Sequence, residues 1–511
     1  MTEVTFPAIA WQQLAPIIIV LGAGAIGVLV EAFAPRTSRR PIQLWLTFAA
    51  LIASFATVVI AAGSFETVVA GAAAIDGPGL FLMGAVLLAA LLSGLLMAER
   101  HVDPSGDAFA ARASAMPGSE DERQFTARGY LQTDIWPLLL FSTGGMMLFV
   151  SANDLLLMFI GLEIMSLPLY LLAGMARRRR LLSQEAAIKY FLLGAFSSAF
   201  FLYGAALVYG FAGTVSLGGI ADAVTGQPQL SGLLLGGIAL MSVGLLFKVA
   251  AVPFHSWAPD VYQGSPTPVT AFMASGVKVA AFGAMLRLFY VAFGGSAWDW
   301  RPAFWVIAVL TFFVGAMIAL AQSDIKRMLA YSSIAHAGFL LLGVIAVTPD
   351  ALSSTLFYLL TYALATVGAF AVVMLIRDDT GETSALDAWR GLGRRHPMLA
   401  GAFTLFLLSF AGIPLTAGFV GKFAVFSSAA AAGEGWLVLL AVIASAIAAF
   451  FYLRVVVVMF FSDPVGDGPA VAVPSWATRA TITVAAAVTL VLGIFPQPLL
   501  DLASNADIFV R

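Results

Sequence analysis

The sequence predicts an all-α polytopic membrane protein with about fourteen transmembrane helices, and three observations support this fold class. Of the 511 residues, 61% are hydrophobic and only 11% are charged, whereas a soluble domain carries about 25% charged residues. Apolar stretches of about 20 residues recur along the chain, and this length allows a helix to cross a bilayer. The stretches are continuous, unlike β-barrel strands of about ten residues that alternate in polarity. A soluble fold and a barrel are therefore both excluded.

Windows of about 19 residues locate the fourteen candidate spans in chain order. The first span follows Glu3 without a basic segment, which predicts a membrane anchor rather than a cleaved signal peptide. Each span is predicted to be a helix. The approximate centres of the fourteen spans, in chain order, are Gly24, Ala53, Leu88, Thr143, Met165, Ala199, Gly236, Val279, Thr311, Gly338, Leu364, Ser409, Ala446 and Ala486.

Five segments follow from the spacing of these spans. The N-terminal segment, 1–98, holds three helices, and a polar segment, 99–134, is predicted as a cytoplasmic loop. Spans four to eight and spans nine to thirteen are predicted to form two five-helix repeats, and a last helix follows the second repeat. The boundaries of these three parts are 135–293, 302–461 and 475–498.

The basic residues predict the orientation of the chain. Most of the 26 lysines and arginines lie in the loops after odd-numbered spans, including the run from Arg177 to Arg180. The opposite side holds only Arg301 and Arg511. Because cytoplasmic loops are enriched in basic residues, the odd loops are predicted to be cytoplasmic and both termini to face outward. The four consecutive arginines are predicted as an orientation and anionic-lipid signal rather than a nucleic-acid site.

Scarce cysteine and histidine restrict the chemistry of this chain. The sequence has no cysteine and four histidines, and it lacks a glycine-rich nucleotide motif. Thiolate-ligated iron–sulfur clusters and cysteine zinc sites are therefore excluded. We expect no cofactor and no metal on this chain, so that any redox chemistry belongs to other chains.

Two spans carry signals for a broken helix beside a lysine. In span seven Lys248 precedes Pro253, which cannot donate a backbone hydrogen bond. In span twelve Gly412 and Pro414 precede Lys422. Broken helices inside a membrane mark binding or transport sites, and these two lie five spans apart. A unit with an odd number of spans inverts when it is repeated, so the two repeats are predicted to be inverted.

Six basic residues fall inside or at the edge of the spans. A charged side chain at the bilayer centre costs at least about 2.5 kcal/mol, so it needs a partner, a hydrated cavity or a task. Three of these basic residues lie near predicted helix ends, namely Lys189, Arg287 and Arg454. For these three, snorkelling or a packing ion pair is as compatible with the sequence as a functional role. A functional role is predicted more strongly for Lys248, Lys278 and Lys422.

Glu163 lies in the middle of span five and is predicted to partner Lys248. Each charge favours the ionised form of the other, and burial disfavours both, so hydration or a third charge can switch the pair. A lysine suits this role because an arginine does not release its proton. A static salt bridge is the alternative. With Lys278, His336 and Lys422, these residues form a series across both repeats that is typical of a proton relay, while His255 and His336 are as compatible with structural roles.

Four stretches of the chain resemble the antiporter-like proton-translocating subunits of respiratory complex I, and the stretch from Pro253 to Thr270 is highly specific for the superfamily. Three features favour one branch of the family: the region beginning at Lys189, a lysine rather than an acid at 422, and the absence of a long lateral helix after span fourteen. The four stretches are 185–204, 247–270, 324–336 and 412–423.

The resemblance implies a function and partners. It implies that protons move from the cytoplasm to the outside of a bacterial plasma membrane, driven by quinone reduction in distant subunits. Glu163 is implied to modulate Lys248, Lys278 to connect the two halves, and Lys422 to serve the second half-channel; Lys189 has a family-like context without an assigned step. NADH, FMN, iron–sulfur clusters and quinone are implied on partner subunits, which include a neighbouring antiporter-like subunit with its lateral helix. Membrane lipids are further partners.

Three alternatives remain from the sequence. The nearest is a subunit of a multisubunit cation/proton antiporter or of a membrane-bound hydrogenase, since both share the Lys248 and Pro253 signature. A free-standing solute transporter is favoured less because the buried polar series consists of proton-carrying groups. The third alternative is a purely structural scaffold. In that case, replacing the buried lysines with leucine or methionine would cause no loss of function.

Overall fold

The computed structural model describes residues 10–100, 106–226, 231–378, 381–464 and 470–510. Parts of the predicted N-terminal segment and cytoplasmic loop, together with Glu3 and Arg511, lie outside these residues. All fourteen predicted span centres lie in α-helices. Within the described ranges, twelve helices are long and apolar enough to cross a membrane, and the fourth and twelfth spans are built from shorter apolar helices. The prediction of a polytopic helical membrane protein is confirmed.

The N-terminal part contains three long helices and two short strands. Asp76 caps the third long helix by accepting a hydrogen bond from the Gly79 amide at 2.9 Å. A short helix follows in the polar segment. In chain order these elements are α1 Trp11–Phe33, α2 Arg36–Ile60, β1 Glu66–Val68, β2 Ala73–Ile75, α3 Gly77–Met97 and α4 Glu120–Ala127.

The next group of helices corresponds to spans four to eight. Its last span is nearly continuous but includes two π-helical segments, Met273–Val277 and Leu288–Ala292. The α-helices of this group are α5 Ile135–Ser151, α6 Leu155–Ala173, α7 Arg180–Ala212, α8 Leu217–Gly226, α9 Gly232–Val249, α10 Trp257–Gly264, α11 Thr267–Phe272 and α12 Lys278–Arg287.

The remaining helices correspond to spans nine to fourteen, with a small sheet at one end. That sheet has the order β4-β3-β5, and both pairings are antiparallel. The elements are α13 Ala297–Leu320, α14 Ile325–Ala346, α15 Pro349–Val373, β3 Ile376–Asp378, β4 Gly381–Glu382, α16 Leu392–Arg395, α17 Pro397–Ala411, α18 Ala417–Ala431, α19 Gly435–Phe461, β5 Ala470–Val471, α20 Trp476–Ile494 and α21 Gln497–Ser504; the 3-10 turns are Gly294–Ser296 and Leu386–Trp389.

Both predicted helix breaks are confirmed. Helix α9 ends at Val249, and Ala250 takes a left-handed conformation with φ of 58° before the chain reaches Pro253. Helix α17 ends at Ala411, where Gly412 has φ of 81°, a conformation that glycine adopts without steric cost. The indole of Trp257 donates to the Phe247 carbonyl at 2.9 Å, so an oxygen near the first break finds a protein partner.

Spans four to eight and nine to thirteen are built alike. Helix α5 packs on α6 and α12, and α13 packs correspondingly on α14 and α19. An aspartate caps the second helix of each set, since Asp154 accepts from the Leu157 amide at 2.5 Å and Asp324 from the Arg327 amide at 3.0 Å. Because each set has five crossings, the second set begins on the opposite side of the membrane. These features support the predicted inverted repeats.

Glycines bring the first two helices of each repeat into close contact. A Cβ added to Gly145 of α5 would lie 2.2 Å from the Met165 backbone nitrogen on α6. In the second repeat, a Cβ on Gly315 of α13 would lie 2.5 Å from the Ala335 nitrogen on α14. Small residues allow helices in a membrane to approach this closely. Glu163 lies on α6 two residues before Met165, next to this contact.

We expect Gly145→Ala to destabilise the chain by about 1–3 kcal/mol, as is typical of overpacking. The added methyl group meets backbone atoms of α6, which cannot move aside as a side chain can. Thermal inactivation of the detergent-solubilised protein measures the effect. Gly401→Ala in α17 is the matched control, because a Cβ there has no neighbour within 4 Å. Equal stability of the two variants would contradict the proposed close contact.

The described part of the polar segment, 106–134, is held by the arginine run. Arg177 forms an ion pair with Asp107 at 2.8 Å, and Arg180 donates to the Ala113 carbonyl at 2.7 Å. Burial raises the pKa of the Asp107 carboxyl, and the Arg177 guanidinium acts in the opposite direction. At least two of the four arginines therefore bind protein groups, which the interpretation as an orientation and lipid signal did not include.

Candidate site of buried lysines

Three lysines and a histidine lie buried in the membrane-spanning part of the chain. The exposed fractions of Lys248, Lys278 and Lys422 are 2%, 2% and 4%, and that of His336 is 1%. Among the described residues, none of the three lysines forms an ion pair with a carboxylate; their hydrogen-bond partners are neutral oxygens. The burial predicted for these three residues is therefore observed.

Lys248 lies in the last turn of α9, directly before the first helix break. Its Nζ donates to Ser166 Oγ at 2.7 Å and to the Tyr170 hydroxyl at 3.2 Å, both on α6. The C-terminal end of a helix carries a partial negative charge, which favours a cation there. The break thus places a helix end at membrane depth and supplies this lysine with a favourable electrostatic environment.

Glu163 does not make the predicted contact with Lys248. Its Oε1 is buried without a hydrogen-bond partner among the described residues, while Lys248 bonds to Ser166 and Tyr170 instead. Ser166 and Tyr170 follow Glu163 by three and seven residues, which places all three on one face of α6. Lys248 meets this face beyond Glu163, so the expected direct ion pair is absent from this structure.

Lys278 lies at the boundary between the π-helical segment Met273–Val277 and α12. Its Nζ donates to Ser333 Oγ at 2.5 Å and also to the Ser333 carbonyl. Ser333 is on α14, the second helix of the other repeat. Lys278 therefore contacts the second repeat directly.

His336 lies one turn beyond Ser333 on α14 and contacts two tyrosines. Its Nδ1 is 2.5 Å from the Tyr358 hydroxyl, and its Nε2 is 3.2 Å from the Tyr452 hydroxyl. The Tyr452 hydroxyl also forms a hydrogen bond with Ser332 Oγ. His336 therefore lies between tyrosines of α15 and α19, one turn from the serine that binds Lys278.

Lys422 binds the backbone freed at the second helix break. Its Nζ donates to the carbonyls of Phe410 and Ala411 at 2.7 and 3.2 Å, and to Ser445 Oγ at 2.9 Å. These carbonyls are the last two of α17, so this lysine also lies at the negative end of a short helix. Both repeats therefore place a lysine at the C-terminal end of a broken helix. Lys248 precedes the break of its span, whereas Lys422 follows the break of its span.

The other predicted residues lie apart from this series. Lys189 is 40% exposed in its side chain and forms ion pairs with Glu185 at 2.6 Å and Asp260 at 2.7 Å. His255 is half-buried in the first break, and its Nδ1 has no partner among the described residues. Arg454 donates to the Leu320 carbonyl at the end of α13 at 2.7 Å.

Several polar partners were not predicted from the sequence. Ser166 and Tyr170 share a helix face with Glu163, and Ser445 and Tyr452 are likewise seven residues apart on α19. Helical periodicity alone identifies such faces in an apolar stretch. Which lysine or histidine contacts each face depends on how the helices pack, and the periodicity of the sequence does not give this packing.

The chemistry available to this series is proton transfer. A buried lysine can release its proton, because burial penalises the ammonium form. Hydroxyl groups both donate and accept hydrogen bonds, so the serines and tyrosines around the lysines can pass a proton in either direction. Within the described residues, no group of three or more histidines, aspartates or glutamates has the arrangement of a metal site.

Comparisons with known proteins agree with this fold. The family model described as "NADH:quinone oxidoreductase/Mrp antiporter, TM" matches residues 152–448. A chain of respiratory complex I from Thermus thermophilus, solved with bound aureothin, is 36% identical with a TM-score of 0.77, over 96% of this chain and 99% of that chain. A chain of the Mrp complex from Dietzia sp. DQ12-45-1b has a TM-score of 0.80 over 98% of this chain and 97% of that chain; at 23% identity it shows a similar fold alone.

Two curated relatives identify the branch. NADH-quinone oxidoreductase subunit N 3 of Streptomyces griseus subsp. griseus is 57% identical over 529 residues, with 99% of this chain and 96% of the relative covered. NADH-quinone oxidoreductase subunit N of Rhodococcus opacus (strain B4) is 57% identical over 524 residues, with 99% and 97% covered.

The fold and the two broken helices define an antiporter-like membrane subunit. Within that class, the chain belongs to the subunit N family of NADH-quinone oxidoreductases, the membrane subunits of respiratory complex I. It is accordingly a multi-pass membrane component of a multisubunit enzyme. The predicted resemblance and the predicted branch are both confirmed.

Proposed function

We propose that this chain carries protons through the membrane part of a proton-pumping NADH:quinone oxidoreductase, along Glu163, Lys248, Lys278, His336 and Lys422. The direction we propose is from the cytoplasm to the outside, with the odd-numbered loops cytoplasmic. Quinone reduction in other subunits supplies the energy. We place NADH, FMN and iron–sulfur clusters on those subunits; for the clusters, this chain has no cysteine that could act as a ligand.

The observation that carries the proposal is the burial of three lysines against neutral oxygens. A purely structural lysine inside a membrane is expected to pair with a carboxylate, because an unpaired charge there is costly. Here the partners are hydroxyl and carbonyl groups, which also accept a hydrogen bond from a neutral amine. Each lysine can therefore keep its position in both protonation states, as a proton carrier must.

Glu163 supports a switching role without a direct contact. Its buried Oε1 lacks a hydrogen-bond partner among the described residues, so its carboxylate is free to respond to a new charge or to water. Charges about 8 Å apart interact by about 2 kcal/mol at an effective dielectric constant near 20, more than one pKa unit. A charge change in a neighbouring subunit that alters Glu163 thus alters proton release by Lys248.

The middle of the series connects the repeats. A proton released by Lys248 reaches Lys278 through water, and Ser333 and His336 lie on α14 between Lys278 and the second repeat. Each proton that arrives changes the charge felt by the next group in the series. We propose that a neighbouring antiporter-like subunit, with its lateral helix, transmits the same change along the complex.

Replacing Lys248 with alanine is expected to lower proton pumping by the complex about 100-fold, because a positioned proton-transfer group is lost. Glu163→Gln is expected to reduce pumping by a smaller factor, since it removes only the modulating charge. Coupled quinone reduction falls in parallel while the complex still assembles. Inverted membrane vesicles with a pH-sensitive dye measure pumping, and NADH oxidation measures electron transfer.

Arg395→Gln is the control for both variants, because Arg395 is exposed at the end of α16 and is not part of the series. Normal pumping by both Lys248→Ala and Glu163→Gln would overturn the proposed pathway. Purification of the tagged chain with flavin and iron–sulfur subunits distinguishes this function from that of a multisubunit cation/proton antiporter, which lacks them.

A further inference from the structure

A large basic cavity lies at the ends of α1 and α2, outside the proposed pathway. Its volume is about 850 Å³, and it lies between the connection from α1 to α2 and the polar segment 106–134. Five arginines line it against two carboxylates. The charged lining residues are Arg36, Arg39, Arg40, Arg100, Arg112, Glu31 and Asp134.

Internal contacts occupy the two carboxylates. Glu31 accepts from Gln43 Nε2 at 2.8 Å and from Thr133 Oγ1 at 2.9 Å, and it lies 3.5 Å from Arg39. Asp134 accepts from Gln132 Nε2 at 2.7 Å. The acids of the cavity are therefore already bound by neighbouring groups, and they leave most of its arginines without a counter-charge.

Two exposed arginines of the cavity have no anionic partner among the residues that the structure describes. The Arg36 guanidinium lies 5.0 Å from the centre of the Tyr130 ring, and the Arg100 side chain has no hydrogen-bond or ion-pair partner among the described residues. Arg112 donates to Ser114 Oγ at 3.2 Å, and its guanidinium lies 4.9 Å from the centre of the Phe125 ring. Guanidinium groups bind phosphate oxygens in a bidentate manner, so this set is suited to a phosphate group.

The surface beside the cavity is apolar, which favours a lipid over a soluble anion. Phe33 at the end of α1 is 83% exposed, and Trp45 on α2 is 79% exposed. Ile42 lies three residues before Trp45 on the same helix and is 41% exposed. A molecule with a phosphate in the cavity can therefore place acyl chains along these two membrane-spanning helices.

We propose that this cavity binds the phosphate headgroup of an anionic phospholipid whose acyl chains lie along α1 and α2. Basic pockets at the ends of transmembrane helices are suited to such headgroups. The binding site differs from the arginine run 177–180, in which Arg177 and Arg180 hold the polar segment. A bound lipid would join α1 and α2 to the 106–134 segment through a shared phosphate.

Photocrosslinking of the purified complex tests this proposal. The probe is phosphatidylglycerol with a photoreactive acyl chain, and labelled peptides are mapped by mass spectrometry. We expect labelling of residues 31–45, reduced about fivefold for each arginine removed in Arg36→Gln and Arg100→Gln, the factor that corresponds to one basic side chain at an anionic surface. The Arg36→Lys and Arg100→Lys variants retain charge and are expected to retain most labelling.

Arg128→Gln is the matched control, because Arg128 is exposed on the same segment but does not line the cavity. If Arg128→Gln lost as much labelling as Arg36→Gln and Arg100→Gln, the labelling would depend on general surface charge, and the proposed site would be overturned. Equal labelling by a phosphatidylcholine probe, or displacement of the lipid by excess inorganic phosphate, would overturn lipid specificity. Crosslinks from this region to an acidic segment of a neighbouring subunit would show that a protein occupies the cavity instead.

Discussion

Replacing Arg287 with methionine is expected to lower the free energy of unfolding by about 3–5 kcal/mol, the typical cost of removing one partner from a buried ion pair. Arg287 binds Asp76 through two hydrogen bonds of 2.7 Å each, and both side chains are fully buried. Without the guanidinium, the Asp76 carboxylate remains buried without a counter-charge.

This ion pair holds together four parts of the chain. Arg287 ends α12 and also donates to the Val150 carbonyl of α5 at 3.0 Å. Asp76 caps α3 and accepts from the Val510 amide at 3.0 Å, while the Phe509 ring lies 4.7 Å from the guanidinium carbon. The pair therefore connects the helix that carries Lys278 to α3, α5 and the C-terminal segment.

Thermal inactivation of the detergent-solubilised complex, and the amount of chain inserted in membranes, measure this effect. The double variant Asp76→Asn with Arg287→Met is expected to regain part of the lost stability, because it removes both charges. Arg395→Gln serves as the exposed control. Two outcomes would contradict a stabilising role for the ion pair. One is an Arg287→Met variant as stable as the unmodified chain. The other is a double variant whose loss of stability equals the sum of the losses in the two single variants.

Replacing Lys278 with arginine is expected to reduce proton pumping about 100-fold, although the positive charge is kept. An arginine retains its proton at any physiological pH, so it cannot pass one from the first repeat to the second. Lys278→Met, which removes the charge at similar length, is expected to reduce pumping to the same extent. The two variants differ in charge but share the loss of a releasable proton.

Proton pumping and quinone reduction by reconstituted vesicles measure both Lys278 variants, and blue-native electrophoresis verifies assembly of the complex. Normal pumping by Lys278→Arg with loss in Lys278→Met would show that Lys278 acts only as a fixed positive charge. Normal pumping by Ser333→Ala would exclude the Ser333 hydroxyl as the link between the repeats.

Much of the fold could be predicted because membrane spans are local features. All fourteen span centres lie in helices, and both breaks occur beside the residues that predicted them, Pro253 and Gly412. Hydropathy and the backbone limits of proline and glycine act over a few residues, so sequence patterns contain them. The burial of Lys248, Lys278 and Lys422 followed from the same patterns.

The partners of the buried residues could not be predicted in this way. Glu163 was expected to bind Lys248, but helix packing shifts the contact along α6 to Ser166 and Tyr170. Arg287 was as compatible with snorkelling as with function, and its partner Asp76 lies 211 residues away. Contacts over such separations depend on how helices pack together.

The sequence by itself determined the number of membrane spans, the positions of both helix breaks and the lysines beside them, because bilayer thickness and backbone sterics restrict each segment separately. Only the tertiary structure decided that Lys248 binds hydroxyl groups rather than Glu163, that Lys422 binds the carbonyls of the second break, and that five arginines line one cavity. Each of these contacts needs distances between helices, and close packing of whole helices sets those distances.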